Sequence, residues 1–401
     1  MIASIRKEFN SAFTNELYQQ YLSELNKPFP NTLNFRVAET PIFMDPIFTE
    51  KILATGKYIA AQIQHPDFKV KTEASLRHQP YTVNETPLPK CILMDFAITK
   101  NEKNEMVPAL IELQGFPSLF AFELLQDEAL NKVFTMPKGF SPYLNGYTRE
   151  KYLAHLSEII KGAPGTNKHT VLLELFPHQQ KTSIDFYCTE KYFNVPIVCI
   201  TEIFQEDRHL FYERAGHKIK IERIYNRIVL DELKNQTKAI QDKGALLQTD
   251  LDIEWVTHPN HFFRISKFLL PFLTHTYIPN TQFVNQLETI PNNLEDYILK
   301  PLFSFAGQGV IIDIQKGDIE KIANPEQWIL QDKVHYAECI ETPTGPAKAE
   351  IRLFYFWDER TNTYVATMNL ARLSKGKMIG VDYNKTATWV GGSLAYFEQI
   401  D

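Results

Sequence analysis

The chain is poor in cysteine, in net charge and in long apolar runs, and each shortage removes a class of protein. Its 401 residues hold four cysteines, Cys91, Cys188, Cys199 and Cys339, scattered without any Cys-x-x-Cys spacing. That argues against a disulfide framework or a thiolate metal site, and the apolar runs around them predict buried, reduced thiols. A formal net charge of −6 gives no general attraction to nucleic acid or to an anionic membrane, so any polyanion site must be local. No apolar run approaches the length of a bilayer span, and the opening MIASIRKEFNSAF has no apolar h-region, which together give the expectation of a cytoplasmic protein. There is no internal repeat, no low-complexity tract and no Ser-His-Asp or Cys-His arrangement for nucleophilic catalysis. What remains is an ordinary globular composition, 44% apolar and 22% charged, in a chain long enough for two or three packed lobes.

Periodicity gives the organisation. Apolar positions Ile5, Phe9, Phe13, Leu17 and Leu22 predict a helix within residues 2–25, and Pro46–Gln64 reads as another. Cys91–Thr99 and Val107–Gln114 read as two strands joined by the polar turn Lys100–Glu105, and Phe120–Val133 as a helix. The Gly/Pro-rich KGAPGTNKH, Lys161–His169, is a linker. Beyond it, Thr170–Phe176, Thr182–Phe193 and Val195–Phe204 give strand, helix, strand, the pattern of a βαβ unit with a parallel sheet, without the glycine fingerprint of dinucleotide binding. Ile219–Val229 predicts a further strand leading to a helix near Leu230–Gln241. Phe262–Leu273 predicts a helix, and Trp328–Val334, Glu350–Trp357 and Thr363–Ser374 predict strands.

The segment YILKPLFSFAGQGVIIDI, Tyr297–Ile314, carries the chemistry. Strand-like runs at Tyr297–Lys300 and Val310–Ile314 flank Ser304-Phe305-Ala306-Gly307-Gln308-Gly309, whose small residues let successive backbone N–H groups face one anion, and Lys300 adds a cation at the mouth. The order is not that of a P-loop, in which the lysine follows the glycines and opens a helix. A plain hairpin with a glycine-containing loop satisfies the same pattern. Upstream, Glu112 and Gln114 lie two apart in ALIELQ and share a strand face, while Ile111 and Leu113 face the core. Asp95 in CILMDFAI is a carboxylate inside an apolar strand; a turn centred near Glu102 and Lys103 sets it opposite Leu110 and diagonal to Glu112. Those three oxygen donors suit magnesium held against a triphosphate. Arg352 and Arg372 are cations in apolar strands, suited either to fork an anion or to form structural salt bridges.

Taken in this order, the pieces from about Cys91 onward resemble the circularly permuted ATP-grasp ligases, the group of eukaryotic-type glutathione synthetase and glutathionylspermidine synthetase. The resemblance implies a mixed α/β fold (α+β), an ATP-grasp fold with a Rossmann-like βαβ region. Residues 1–160 would hold the metal-ligand hairpin, 168–240 a substrate domain and 241–401 the nucleotide-binding part. It implies ATP and Mg²⁺ as cofactors, with metal on Asp95, Glu112 and Gln114. It places phosphate on Lys267 and Lys300 beside the Ser304, Gly307, Gln308 and Gly309 loop, and adenine near the strand end at Gln331, Lys333 and Val334. Arg227, in KIERIYNRIV, and Arg372, in NLARLS, match substrate arginines. The implied reaction joins a small-molecule or peptide carboxylate to an amine through an acyl phosphate, releasing ADP. Gln114 stands where the family has asparagine, Leu93 and Met94 where an arginine often precedes the aspartate, and the loop lacks the Arg-Glu of the thiol-peptide ligases. Three rivals follow: a degenerate relative that binds nucleotide or only a partner surface without turnover, a kinase-like enzyme phosphorylating a carboxylate or hydroxyl at the same ATP site, and an unpermuted metal set at Glu350-x-Arg352 and Asp382-x-Asn384.

Overall fold

The computed structural model describes residues 2–304, 307–377, 379, 384 and 386–399; Asp382 of the rival metal set and the Phe305-Ala306 pair lie outside them. The chain is a mixed α+β protein, organised around a five-stranded antiparallel sheet in the order Gly391–Ser393, Thr363–Ser374, Lys348–Asp358, Cys91–Lys100, Met106–Gln114. Two strands from early in the chain thus pair with three from late in it.

Side-chain alternation splits this sheet into two faces. Ile92, Met94, Phe96, Ile98, Ile351 and Leu353 point to one side and form a core with the helix Pro46–Gln64. That helix forms as read: the Asp45 carboxylate accepts the Phe48 amide at 2.9 Å, Pro46 occupies the first turn, and Phe48, Ile52, Ile59 and Ile63 line one stripe. The opposite face begins apolar, with Leu93, Phe354, Phe356, Met368 and Leu370 packed with the helices Phe122–Val133 and Arg149–Lys161. Two residues further along each strand it becomes charged, with Asp95 after Leu93, Arg352 before Phe354 and Arg372 after Leu370. The candidate site sits at that change.

Two smaller sheets flank the site. The expected βαβ unit is present as Thr170–Glu174, Ser183–Phe193 and Ile197–Cys199, within a parallel sheet completed by Arg223–Asn226 and Glu254–Val256. The third sheet is antiparallel, with Trp328–Asp332 between Thr281–Phe283 and Tyr297–Pro301. Among the described residues no helix is long and apolar enough to cross a membrane.

Several elements differ from expectation. The N-terminal helix is two, Ala3–Ala12 and Asn15–Asn26, because Thr14 leaves the helix and caps the second through the Leu17 amide. The strand expected over Val195–Phe204 ends at Cys199 in a 3₁₀ turn, and Ile219–Val229 divides between two sheets at Glu222. Leu230–Gln241 begins as a 3₁₀ turn, Leu230–Asn235, with the α-helix following at Lys238–Leu246. The helix expected over Phe262–Leu273 is an α-turn, Pro259–Arg264, then a 3₁₀ segment, Lys267–Phe272: the Ser266 hydroxyl takes the Phe268 amide and Pro271 cannot donate. Val310–Ile314 forms no strand. Only Ile311 pairs, with Leu299, because Gly307 and Gly309 take φ of 76° and 72° and turn Val310 back onto the Gly307 carbonyl.

Candidate functional site

A β-bulge sets the first part of the site. The register jumps between Asp95 and Phe96, so Asp95 lies directly across from Glu112 and not from Leu110 as the turn predicted. Leu110 and Leu113 enter the core, while Ile111, expected there, is the extra residue of the bulge and only half-buried. Its carbonyl oxygen instead accepts from Lys300 Nζ at 3.3 Å.

Asp95, 1% exposed, is fully engaged. Arg352, its cross-strand neighbour, donates Nε to Oδ1 and Nη2 to Oδ2, both at 2.6 Å, and Arg372 donates Nη2 to Oδ2 at 2.8 Å. Burial would raise this carboxyl, but the two guanidinium groups outweigh it and hold it below the usual carboxylate range. Arg372 also donates to Glu350 at 2.7 Å, and Tyr336 hydrogen-bonds the other Glu350 oxygen. Burial, with Asp95 adding to it, pushes Glu350 up despite Arg372. Arg352 further reaches Ser118 Oγ at 3.2 Å.

Glu112 faces two lysines. Lys267, at the start of the 3₁₀ segment, lies 3.4 Å from Glu112 Oε1 and donates to the Ser304 carbonyl at 2.7 Å. Its place follows from Gly115: the Gly115 amide bonds the Ile265 carbonyl, and a Cβ there would run into the His261 carbonyl oxygen, so the Pro259–Arg264 turn lies directly against the end of the Met106–Gln114 strand. Lys300 donates to Gln331 Oε1 at 2.6 Å, and Gln331 in turn to Thr281. Both lysines are 6% exposed. Burial pushes Lys300 down to about 8, with Lys267 adding to the fall and Glu112 and Glu350 opposing it. Glu112, Gln114, Lys267 and Ser304 line a cleft whose free volume is about 20 Å³, room for one water.

The other predicted residues lie around this centre. Ser304 is at the cleft; Gln308 and Gly309 are exposed, and Gly307 is half-buried in the turn. Lys333 and Val334 follow the end of the Trp328–Asp332 strand, and the Lys333 amide already bonds the Asp296 carbonyl at 2.8 Å. Arg227 is not with the lysines. It holds the loop after Gln114 through the Pro117 and Ser118 carbonyls, between the rings of Phe116 and Phe186. Ser118 therefore joins Arg227 to Arg352.

The expected metal set divides. Glu112 and Gln114 offer oxygen atoms on one face of the cleft, whereas both Asp95 oxygens are filled by arginine, which does not fit metal ligation as the site stands. Among the described residues no three His, Cys, Asp or Glu side chains gather as a metal site. Glu350, named only in the rival metal set, is instead a partner of Arg372, and Tyr336, Ser118 and Thr281 were not part of either expected arrangement. The alternation Glu350-x-Arg352-x-Phe354 was the signal available for the first.

No family model matches the chain, and no curated protein does. Among solved structures it is similar to a glutathione synthetase like-effector, GSS30 from Globodera pallida, in its apo form, with a TM-score of 0.55 over 96% of this chain and 97% of that one. The two sequences are 9% identical, so the likeness is one of fold alone: this chain folds in the manner of a glutathione synthetase-like protein.

Proposed function

We propose that the chain is an ATP-grasp protein of the circularly permuted kind and that its cleft binds ATP to ligate a carboxylate to an amine. The observation that carries this reading is the lysine pair: of two buried ammonium groups delivered by separate elements, Lys267 is ion-paired with Glu112, whereas Lys300 is bonded to the neutral oxygens of Ile111 and Gln331. Such an excess of buried positive charge is costly unless an anion completes it. The strand-turn around Gly307 and Gly309 beside it and the glutathione synthetase-like fold support the same reading.

In this reading Lys267 and Lys300 hold the nucleotide phosphates, and Arg372 meets the substrate carboxylate or the phosphoryl group it receives. The carboxylate oxygen attacks the γ-phosphorus as ADP leaves; the amine then attacks the acyl carbon, phosphate leaves, and the amine gives up its proton. Glu112 and Gln114 are the residues that would hold the magnesium of the nucleotide, which would neutralise phosphate charge there. Lys267 now donates to the Ser304 carbonyl, a bond that a nucleotide phosphate on Lys267 would replace. That same contact favours the second reading, a protein that binds nucleotide weakly and without turnover because its own loop stands at the phosphate position.

The test is calorimetric titration of Mg-ATP into wild type and Lys300→Met, followed by incubation with a carboxylate panel and hydroxylamine. The ligase reading expects binding that Lys300→Met weakens at least tenfold, about 1.4 kcal/mol, and a hydroxamate formed with ADP. Binding without hydroxamate or ADP across the panel leaves a binder; no binding removes both.

A further inference from the structure

Resting on the nucleotide reading above, we infer that Asp95 is a guanidinium anchor in this chain, that Arg352 is the strut fixing it, and that metal binding is confined to the Glu112–Gln114 end of the cleft.

Geometry carries this. Asp95 has two carboxylate oxygens, and three guanidinium N–H groups already occupy them at 2.6–2.8 Å. Arg352 spends its other end on Ser118 Oγ and is 12% exposed, so it has little freedom to swing away. A divalent ion on Asp95 would have to displace Arg352 and sit beside two guanidinium charges, leaving one of them buried without a counter-ion. Formal charge points the same way: the two carboxylates ion-paired with these arginines, Asp95 and Glu350, match Arg352 and Arg372 one for one. What the arrangement presents is Arg372. Its side chain keeps 35% of its surface open and its buried Nε has no acceptor among the described residues, while Nη2 is pinned by Asp95 and Glu350. Asp95 and Arg352 are therefore positioning residues for Arg372, and guanidinium groups occupy the Asp95 oxygens on which the family resemblance would put a metal.

Two measurements test it. The first needs no ligand: thermal melts of Asp95→Asn, Arg352→Met and the double variant. If the pair is a strut, the double variant melts about as low as the worse single one, because each single change already breaks the same contact. Additive losses overturn the anchor. The second is Mn²⁺ titration followed by electron paramagnetic resonance, with ATP present. Expected are the same number of bound Mn²⁺ and affinities within about twofold for wild type and Asp95→Asn, against a loss of about tenfold or more for Glu112→Gln. A tenfold loss in Asp95→Asn would overturn the inference. Should wild type bind neither ATP nor Mn²⁺, the nucleotide reading fails and the melting cycle alone decides for or against the strut.

Discussion

Two charged regions lie side by side on the central sheet and differ in how their charges are balanced. Around Asp95 the arginines and carboxylates are matched, each guanidinium within hydrogen-bond reach of an acid. Around Glu112 one ammonium group, Lys267, is ion-paired with that carboxylate and also bonds the Ser304 carbonyl, while the other, Lys300, is bonded to the neutral oxygens of Ile111 and Gln331. The first region is complete in itself and behaves as architecture. The second gains from an incoming anion, and this difference separates a scaffold from a binding place more clearly than burial does, since both are buried.

The comparison breaks if removing a charge has the same effect in both regions. Asp95→Ala leaves Arg352 and Arg372 short of a partner and is expected to cost about 3–5 kcal/mol of stability in urea unfolding. Lys300→Met removes a charge that the fold holds at a cost, and is expected to unfold at or above the wild-type urea concentration. A loss for Lys300→Met as large as that for Asp95→Ala would erase the distinction.

Titration sharpens it next. Lys300 is pushed down to about 8 in the folded chain, while an unfolded lysine titrates near 10.4. Between those values the unfolded chain binds the proton more tightly, so stability should rise with pH from about 8 to about 10.4, by up to ~3 kcal/mol from this group. Below pH 8 both states are protonated and the slope from Lys300 disappears. An anion on Lys300 reverses the shift, so Mg-ATP binding at pH 8.5 should take up protons, seen as a binding heat that changes with buffer ionisation enthalpy. Lys300→Met should remove both effects.

The smallest expected effect concerns delivery of Lys267. Gly115→Ala places a methyl group against the His261 carbonyl and 2.9 Å from the Ile265 side chain, and is expected to cost about 1–3 kcal/mol. Because the Pro259–Arg264 turn must move, phosphate-dependent stabilisation should fall more than in a surface glycine control such as Gly317→Ala. Equal stabilisation of both variants by Mg-ATP would detach Lys267 from the site.

Legibility followed the range of the interaction. The Pro46–Gln64 helix and the Thr363–Ser374 strand are readable to the residue, since a cap, a proline and a repeating period are local signals. The alternation that brings Glu112 and Gln114 to one face was readable for the same reason. The bulge beside Asp95 was not, because one extra residue in a strand has no local mark, and it moved Asp95 from Leu110 to Glu112. Nor was the partner of Asp95. Arg352 was visible as a cation in an apolar strand, but nothing in either segment states that the two strands are neighbours. The break at Ser266 was missed because the apolar run of FRISKFLLPFL outweighed one capping hydroxyl and one proline.

The central sheet also has a consequence in time. Asp95 and Arg352 are 257 positions apart in the chain, and at a synthesis rate of ~5–20 residues per second the aspartate waits on the order of ten to fifty seconds for its arginine. Once Val256 has been made, Cys91–Lys100 is still an apolar strand with a charge in it and a free edge, while the parallel sheet between Thr170 and Val256 has all its strands. A nascent chain therefore passes through a stage with one lobe able to close and the other obliged to stay open. The charge at Asp95 then serves a second purpose, keeping that waiting strand from pairing with a neighbour's until its own partners emerge.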